Sequence, residues 1–408
     1  MRTVEEHQQV VAGLISTRPA VAVPLADALG LALAEDVVAP LSLPGFDNSA
    51  MDGYAVLAAD VATASADNPV KLPVAEDIPA GRTDLLTLAP GTAHRIMTGA
   101  MLPAGATAVV QVEATDGATD VVSIYSAVPE GRSIRRAGED VTAGMTVLPA
   151  GEVLSPAALG LAAALGLAEL KVIPRQRVLV LSTGTELVKP GTPLQPGQIY
   201  ESNAVMLAAA LRDAGADVTT APATSDDVAL FRETLAGHAR DVDLIVTTGG
   251  VSAGAYEVVK EALSDVDPIA GTAGGVEFVK VAMQPGMPQG AGRLGGTANG
   301  TAIVTLPGNP VSALVSFEVF IRPPLRAAMG LPSERPRRSA TLTEKLTSPA
   351  GKRQFRRGVL GTDEQVSSYG PPASHHLRWL ATANCLLDIG EDVVELPAGS
   401  PVPVWDLS

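Results

Sequence analysis

Two aspartates stand close together in Pro44–Val56, PGFDNSAMDGYAV, with Asp47 and Asp52 set among small residues and punctuated by Pro44, Gly45, Asn48 and Gly53. A carboxylate on a glycine-flanked loop suits metal or proton chemistry, because the backbone can approach a ligand closely there. The competing assignment is a turn whose aspartates accept local backbone N–H groups. Further acids follow apolar runs. Glu186 comes after Val178–Ser182, Asp226 and Asp227 precede a helical pattern, and Glu257 follows GGVSAG. Hard oxygen ligands of this kind suit Mg²⁺ bridging phosphates. Asp226 reads equally as a helix cap, and Glu257 as an exposed helix residue. Lys280, ending the run Val276–Val281, is placed to neutralise phosphate or simply to be solvated.

Glycine-containing loops leave the same apolar runs: Thr183–Glu186 (TGTE), Gly249–Gly254 (GGVSAG) and Pro307–Pro310 (PGNP). Gly249 and Gly250 leave backbone N–H groups free to face a phosphate, and a helix starting near Pro310 adds its positive end. In a doubly wound sheet, ligands bind beyond the carboxyl ends of the strands, where these loops would lie. The pattern points to a phosphorylated or nucleotide-like ligand. No Walker A lysine–serine pattern and no G-x-G-x-x-G after a strand occurs, which excludes ordinary P-loop and Rossmann sites.

These residues need elements to hold them. Thr3–Ile15 reads as a helix with Thr3 as N-cap and Glu6 completing a capping box, and Ala26–Leu33 as a second short helix. From Tyr54 to about Glu139, short β-like runs alternate with Pro/Gly turns: Lys71–Ala75, Ala93–Met97, Ala108–Glu113 and Val121–Tyr125. Within this β-rich stretch RIMTGAMLP puts Thr98 and Gly99 on a turn. GRSIRRAGEDV sets Arg132, Arg135 and Arg136 ahead of Glu139 and Asp140, either a solvated turn or a contact surface for an anion or a second subunit. Ser155–Gly166 is a helix capped by Ser155, with Pro156 at its first position; it is expected to lie beside the N-terminal helix, making one domain from two separated pieces. From Arg177 to about Ala328, β and α units alternate, which implies a parallel, doubly wound sheet, with a helix from Pro310 through Phe320. Beyond about Gly330, short β-like runs return (Arg337–Leu342, Val393–Leu396, Val402–Val404) as a small barrel or sandwich.

Composition narrows the function classes. At 408 residues, two to four domains are expected. A net charge of −15 disfavours nonspecific binding to nucleic acid or to acidic membranes, and 3% aromatics argues against stacking platforms for single strands. No apolar run approaches the length needed to span a bilayer. Cys385, the only cysteine, forms no intrachain disulfide. That fits a reducing cytosol, and the amphipathic, acidic start MRTVEEHQQV lacks the order of a signal peptide, so a cytoplasmic location is expected.

Taken together and in this order, PGFDNSAMDGYAV, RIMTGA, IRRAGEDV, STGTEL, TTGGVSAG and LPGNPVSA resemble the molybdopterin molybdenumtransferase family, which comprises the bacterial MoeA proteins and the gephyrin E domain. The resemblance runs over essentially the whole chain. It implies an elongated homodimer of four-domain subunits with a composite site. The implied boundaries are 1–45 plus 140–175 for a discontinuous linker or dimerisation domain and 46–139 for an inserted β-rich domain. An α/β molybdopterin-binding domain spans 176–328 and a C-terminal β-barrel 329–408. It also implies a reaction: adenylylated molybdopterin binds, its pyrophosphate bond is cleaved with a divalent cation, Mg²⁺, and molybdate is inserted with release of AMP. By position, Asp52 matches the essential aspartate, Thr98 the threonine of RIMTG, Glu186 the acid of the STG-x-E loop and Asp226 the acid ahead of the next helix. Lys280 matches the lysine before the PG turn, Pro307 and Pro310 the PGNP prolines, and Ser374 a serine of the C-terminal domain. Gly249, Gly250, Ser252, Glu257, Gly308 and Asn309 fall in the substrate loops, and Glu186, Asp226 and Glu257 form the expected metal set.

The chain also departs from the family pattern. Thr185 stands where Asp is frequent, and Glu257 where Asp is usual. The lysine-rich turn K-P-G-K-P, expected to hold an oxyanion, reads Gln284-Pro285-Gly286-Met287-Pro288 here. Charge-assisted hydrogen bonds are roughly twice as strong as neutral ones, so the change weakens an anion pocket. Arg356 and Arg357, with His375 and His376, are the candidates to compensate. The alternatives are a non-catalytic molybdopterin-binding scaffold and a divergent paralogue that handles another oxyanion.

Overall fold

The computed structural model describes residues 1–222, 227–250, 258–264, 275–294 and 300–407. By density of contacts the chain divides into two units, Ala22–Lys171 on one hand and Met1–Val21 with Val172–Ser408 on the other.

The larger unit is built on a six-stranded sheet ordered Asp217–Thr220, Arg177–Ser182, Leu244–Thr248, Ala302–Leu306, Pro288–Arg293, Glu277–Lys280. Alternation along each central strand feeds two cores. Val178, Val180, Val246 and Val304 face helices Asn203–Asp213 and Pro310–Ser316, while Leu179, Leu181, Ile245 and Ile303 face Phe231, Leu235 and Val259 on the other side. Strands buried on both faces read as continuous apolar runs, which is why the sequence exposed them so clearly. The sheet is doubly wound, but it is not parallel throughout. Pro288–Arg293 runs antiparallel to both Ala302–Leu306 and Glu277–Lys280. The links on either side of this strand are too short for a parallel crossover, which takes a dozen or more residues.

The N-terminal helix, Val4–Ala12, carries the expected capping box: the Thr3 hydroxyl accepts from Glu6 N, and the Glu6 carboxylate accepts from Thr3 N at 2.8 Å. Its apolar stripe packs within the larger unit, whereas helix Pro156–Ala164, expected beside it, falls in the smaller unit. Val4 and Val11 are buried in the α/β core with Val281, Phe317 and Phe320. Helix Pro310–Ser316 continues through a π turn, Phe317–Ile321, into Arg322–Ala328, past the end expected at Phe320. Pro323 and Pro324 have no N–H to offer Val319 O in either an α or a π pattern. Gln8 Nε2 donates to that carbonyl instead, at 3.1 Å.

The C-terminal strands close into a barrel: Arg353–Leu360, Gln365–Ser368, Arg337–Leu342, Pro401–Asp406 and Cys385–Ile389, the last pairing back to the first. Met283–Gln284 adds to its edge, parallel to Arg353–Leu360, and so ties the sheet's edge turn to the barrel. Cys385 is buried filler in this core, and burial pushes its thiol up to about 12.

The smaller unit holds a five-stranded sheet ordered Ala108–Gln111, Gly53–Val56, Ala93–Ile96, Val70–Ile78, Val121–Ile124. It also holds a three-stranded sheet of Val21–Pro24, Glu169–Ile173 and Ala32–Leu33, and helix Pro156–Ala164 capped by the Ser155 hydroxyl. The expected helix over Ala26–Leu33 is only a 3₁₀ turn, Leu25–Asp27. Gly30, at φ +73°, breaks it, and the next residues bond across to Glu152 and Leu154.

Candidate active site

The three central strands end level: Ser182 lies opposite Thr248, and Thr248 opposite Leu306. The loops that leave them touch through glycine. A Cβ at Gly249 would stand 2.8 Å from Thr183 O, and one at Gly308 3.5 Å from the Gly249 Cα. Gly249 (φ +94°) and Gly250 (φ +63°) also hold a backbone conformation that side chains resist. A Cβ at Gly184 would reach within 2.6 Å of Glu186 Oε2, so the Glu186 carboxylate lies folded back over that loop.

Hydrogen bonds stitch the loops together. Asn203 Nδ2 donates to Thr248 Oγ1 at 3.0 Å and to Gly308 O at 2.7 Å, and Thr248 Oγ1 donates on to Pro307 O at 3.2 Å. Glu201, only 9% exposed, accepts at Oε1 from Ser182 Oγ (2.8 Å) and from Ala204 N (2.7 Å), which caps helix Asn203–Asp213. Thr183 Oγ1 and Asn203 Oδ1 are shielded from water and have no hydrogen-bond partner among the described residues.

Two further segments complete a cavity of about 1140 Å³. The Gln284–Pro288 turn is held by Gln354 Nε2, which donates to Gln284 Oε1 at 2.9 Å, and by Gln289 Nε2, which donates to Gly286 O at 2.6 Å. The barrel contributes Pro372–Leu377, pinned by Val311 N donating to Ser374 O at 3.0 Å.

Of the residues expected from the sequence, Glu186, Gly249, Gly250, Gln284, Pro307, Gly308, Asn309, Pro310, Ser374 and His375 share the wall of this cavity, and Met287, which replaces a lysine of the family pattern, lines it too. Lys280 ends an edge strand, exposed and outside the wall. Arg356 is engaged with Ser368 Oγ at 2.6 Å, away from the wall. Arg357 is 3% exposed and spends its guanidinium on the carbonyls of Pro371, Ala373 and His376. Asp226, Ser252 and Glu257 lie outside the described residues; Asp227, beside the first, caps helix Val228–His238 by accepting from Leu230 N. The sequence reading passed over Ser182, Glu201, Asn203 and Thr248. The signal was present in Tyr200–Asn203, an acid–serine–asparagine run directly ahead of a helical pattern. Among the described residues no three His, Cys, Asp or Glu side chains gather as a metal cluster, and no helix is long and apolar enough to cross a membrane.

In the smaller unit the Pro44–Val56 stretch is tied to the two other motifs of that region. Thr98 N and Oγ1 both donate to Asp52 Oδ1 at 2.7 Å. Together they hold the exposed Asp52 carboxyl below the ordinary carboxylate range. Asp47 accepts from Ala137 N (2.8 Å) and from Arg136 Nη1 (2.7 Å), so Arg136 is spent on an internal pair. Asn48–Ser49 pairs antiparallel with Ile134–Arg135.

Three family models match consecutive parts of the chain. They are the MoeA N-terminal region (domain I and II) over residues 2–166, a probable molybdopterin-binding domain over 179–327, and the MoeA C-terminal region (domain IV) over 339–407. The chain is 67% identical to molybdopterin molybdenumtransferase 2 of Mycobacterium tuberculosis, over 100% of both chains. It is 38% identical to molybdopterin molybdenumtransferase 1 of the same species, over 99% of this chain and 98% of that one. The crystal structure of the molybdopterin biosynthesis MoeA protein from Pyrococcus horikosii superimposes with a TM-score of 0.81 at 30% identity, covering 100% of this chain and 99% of that one. Three matched regions in family order and full-length identity of this size mean that the chain belongs to the molybdopterin molybdenumtransferase family.

Proposed function

We propose that this protein completes molybdenum cofactor synthesis by inserting molybdate into adenylylated molybdopterin and releasing AMP. The observation that carries the reading is the cavity itself. It opens at the carboxyl ends of three parallel strands, its floor includes Gly249 and Gly250, where a side chain does not fit, and its wall carries a folded-back carboxylate, Glu186. Such a floor lets backbone amides and a helix start approach phosphate oxygens. The volume of about 1140 Å³ accommodates a pterin with a nucleotide.

Hard carboxylate oxygens fit Mg²⁺, which takes one or two protein acids and fills its shell with substrate phosphates. Glu186 is the described acid placed for this, and Asp226 and Glu257 are its proposed companions. When bound, the ion would neutralise the pyrophosphate and act as a Lewis acid. Pro307, Asn309 and Pro310 shape the phosphate side, and Ser374 closes the barrel side. Thr98 keeps Asp52 ionised and oriented for the reacting phosphate. The active form is a homodimer with a composite site to which the Asp52 loop contributes.

The test is AMP release from adenylylated molybdopterin with molybdate and Mg²⁺. Asp52→Ala is expected to lower turnover by a factor of 100 or so while leaving the fold intact. Undiminished release would remove Asp52 from the chemistry. Saturable molybdate dependence separates the enzyme from a scaffold that only binds molybdopterin, and competition by tungstate separates it from a paralogue using another oxyanion.

A further inference from the structure

The cavity wall contains no lysine and no arginine, and the segments outside the described residues contain none either. Among the described residues it carries two carboxylates, Glu186 and Glu201, and one imidazole, His375. A polyanionic ligand therefore meets a wall whose fixed charge is negative. The Gln284–Pro288 turn does not correct this, since Gln284 is neutral and Met287 has no donor.

His375 sits on an exposed segment held from several sides. Arg357 lies beneath it, buried, donating to the carbonyls of Pro371, Ala373 and His376. Val311 N ties Ser374 O to the start of helix Pro310–Ser316. The His376 ring stands edge-on to His375 at 4.4 Å. Gly370 (φ +74°) turns the chain where a Cβ would strike Trp379 at 2.5 Å. A guanidinium that satisfies three carbonyls of one loop fixes that loop's shape, which is what precise placement of a contact residue requires.

We infer that His375 is this chain's own anion contact for the oxyanion or phosphate of the ligand, and that Arg357 is the positioning residue that aims it. The inference rests on the reading that the ligand carries such a group. Among the described residues, the acids sharing the wall with His375 are Glu186 and Glu201; His376 stands beside it, Arg357 holds its segment, and Arg378 follows, stacked on Trp379.

The experiment measures binding of molybdate alone, and separately of inorganic pyrophosphate, by calorimetry with a chelator present so that no metal bridges the anion. His375→Gln is expected to weaken both by about tenfold, the size of one lost charge-assisted bond, and His375→Arg to retain or tighten them. Arg357→Lys keeps the charge but loses the fork. It is expected to weaken molybdate as His375→Gln does, with no further loss in the double variant, whereas a purely structural arginine would give additive losses. Unchanged anion affinity in His375→Gln overturns the proposal, as does a wild type that binds neither anion. Molybdopterin binding, followed by pterin fluorescence, separates the two readings. If it persists while His375→Gln is silent, only the anion contact fails; if the wild type shows none, the proposed function fails first.

Discussion

Single residues here show how far one atom's surroundings can decide its role. Gly53, next to Asp52, has no room for a methyl group, because a Cβ would stand 1.9 Å from Val110 O across the sheet. Gly53→Ala is expected to cost about 3 kcal/mol, the upper part of the range for overpacking, since backbone rather than a side-chain tip must give way. Chemical denaturation measures it, and a loss below about 1 kcal/mol would mean the strands part easily. His7 is the opposite case, a polar ring in an apolar core. It meets Phe320 edge-on at 4.7 Å, both ring nitrogens are unpartnered, and burial, followed by the Arg2 charge, lowers it from 6.5 to about 4. Between these values the unfolded chain takes up a proton that the folded chain refuses. Stability is therefore full above pH 6.5 and falls as the pH drops towards 4, by about 3 kcal/mol in all. A melting series across that window is expected to fall more steeply for the wild type than for His7→Leu. Parallel curves would assign the acid sensitivity to other groups.

At the scale of elements, the helix from Pro310 to Ala328 shows what pattern reading can and cannot reach. Its start was legible in PGNP, because proline at the first turn costs no hydrogen bond. Its continuation was not, because Pro323 and Pro324 read as a stop. The π turn and Gln8, from a helix more than 300 residues away in sequence, accept the cost together. Gln8→Ala is expected to destabilise by about 1–2 kcal/mol through the orphaned Val319 carbonyl, and Gln8→Glu, which cannot donate there, by at least as much. Equal stability of Gln8→Glu and wild type would show that the carbonyl finds another donor. Local rules also gave the Thr3 and Ser155 caps and the central strands. They failed at Ala26–Leu33 and at the antiparallel edge, where long-range pairing outweighs local propensity. In the candidate site, glycine loops were legible as gaps in an apolar pattern. Arg357 was legible only as a charge; its burial beneath Pro371–His376 is a tertiary fact that no spacing announces.

Considered whole, the chain keeps separate cores. Tyr54, Val56, Val110 and Ile124 form one in the smaller unit, and that unit's own ends lie side by side, with Leu25 N donating to Ala168 O at 3.2 Å. Neighbouring ends and an independent core are what an excisable domain needs. Residues 22–171 expressed alone are expected to unfold in a single cooperative transition, and a broad, non-cooperative melt would count against it. The acid balance of the molecule has a further consequence for timing. With a net charge of −15 and a cavity walled by carboxylates and no fixed cation, a polyanion approaches against the field rather than down it. Most anion-binding sites lose association rate as salt screens their attraction. Here added salt removes a repulsion, so capture of a phosphorylated pterin should speed up as ionic strength rises, and stopped-flow fluorescence would record that inverted slope. On the proposed reading, charge slows the encounter, and retention among the glycine loops must then carry the affinity.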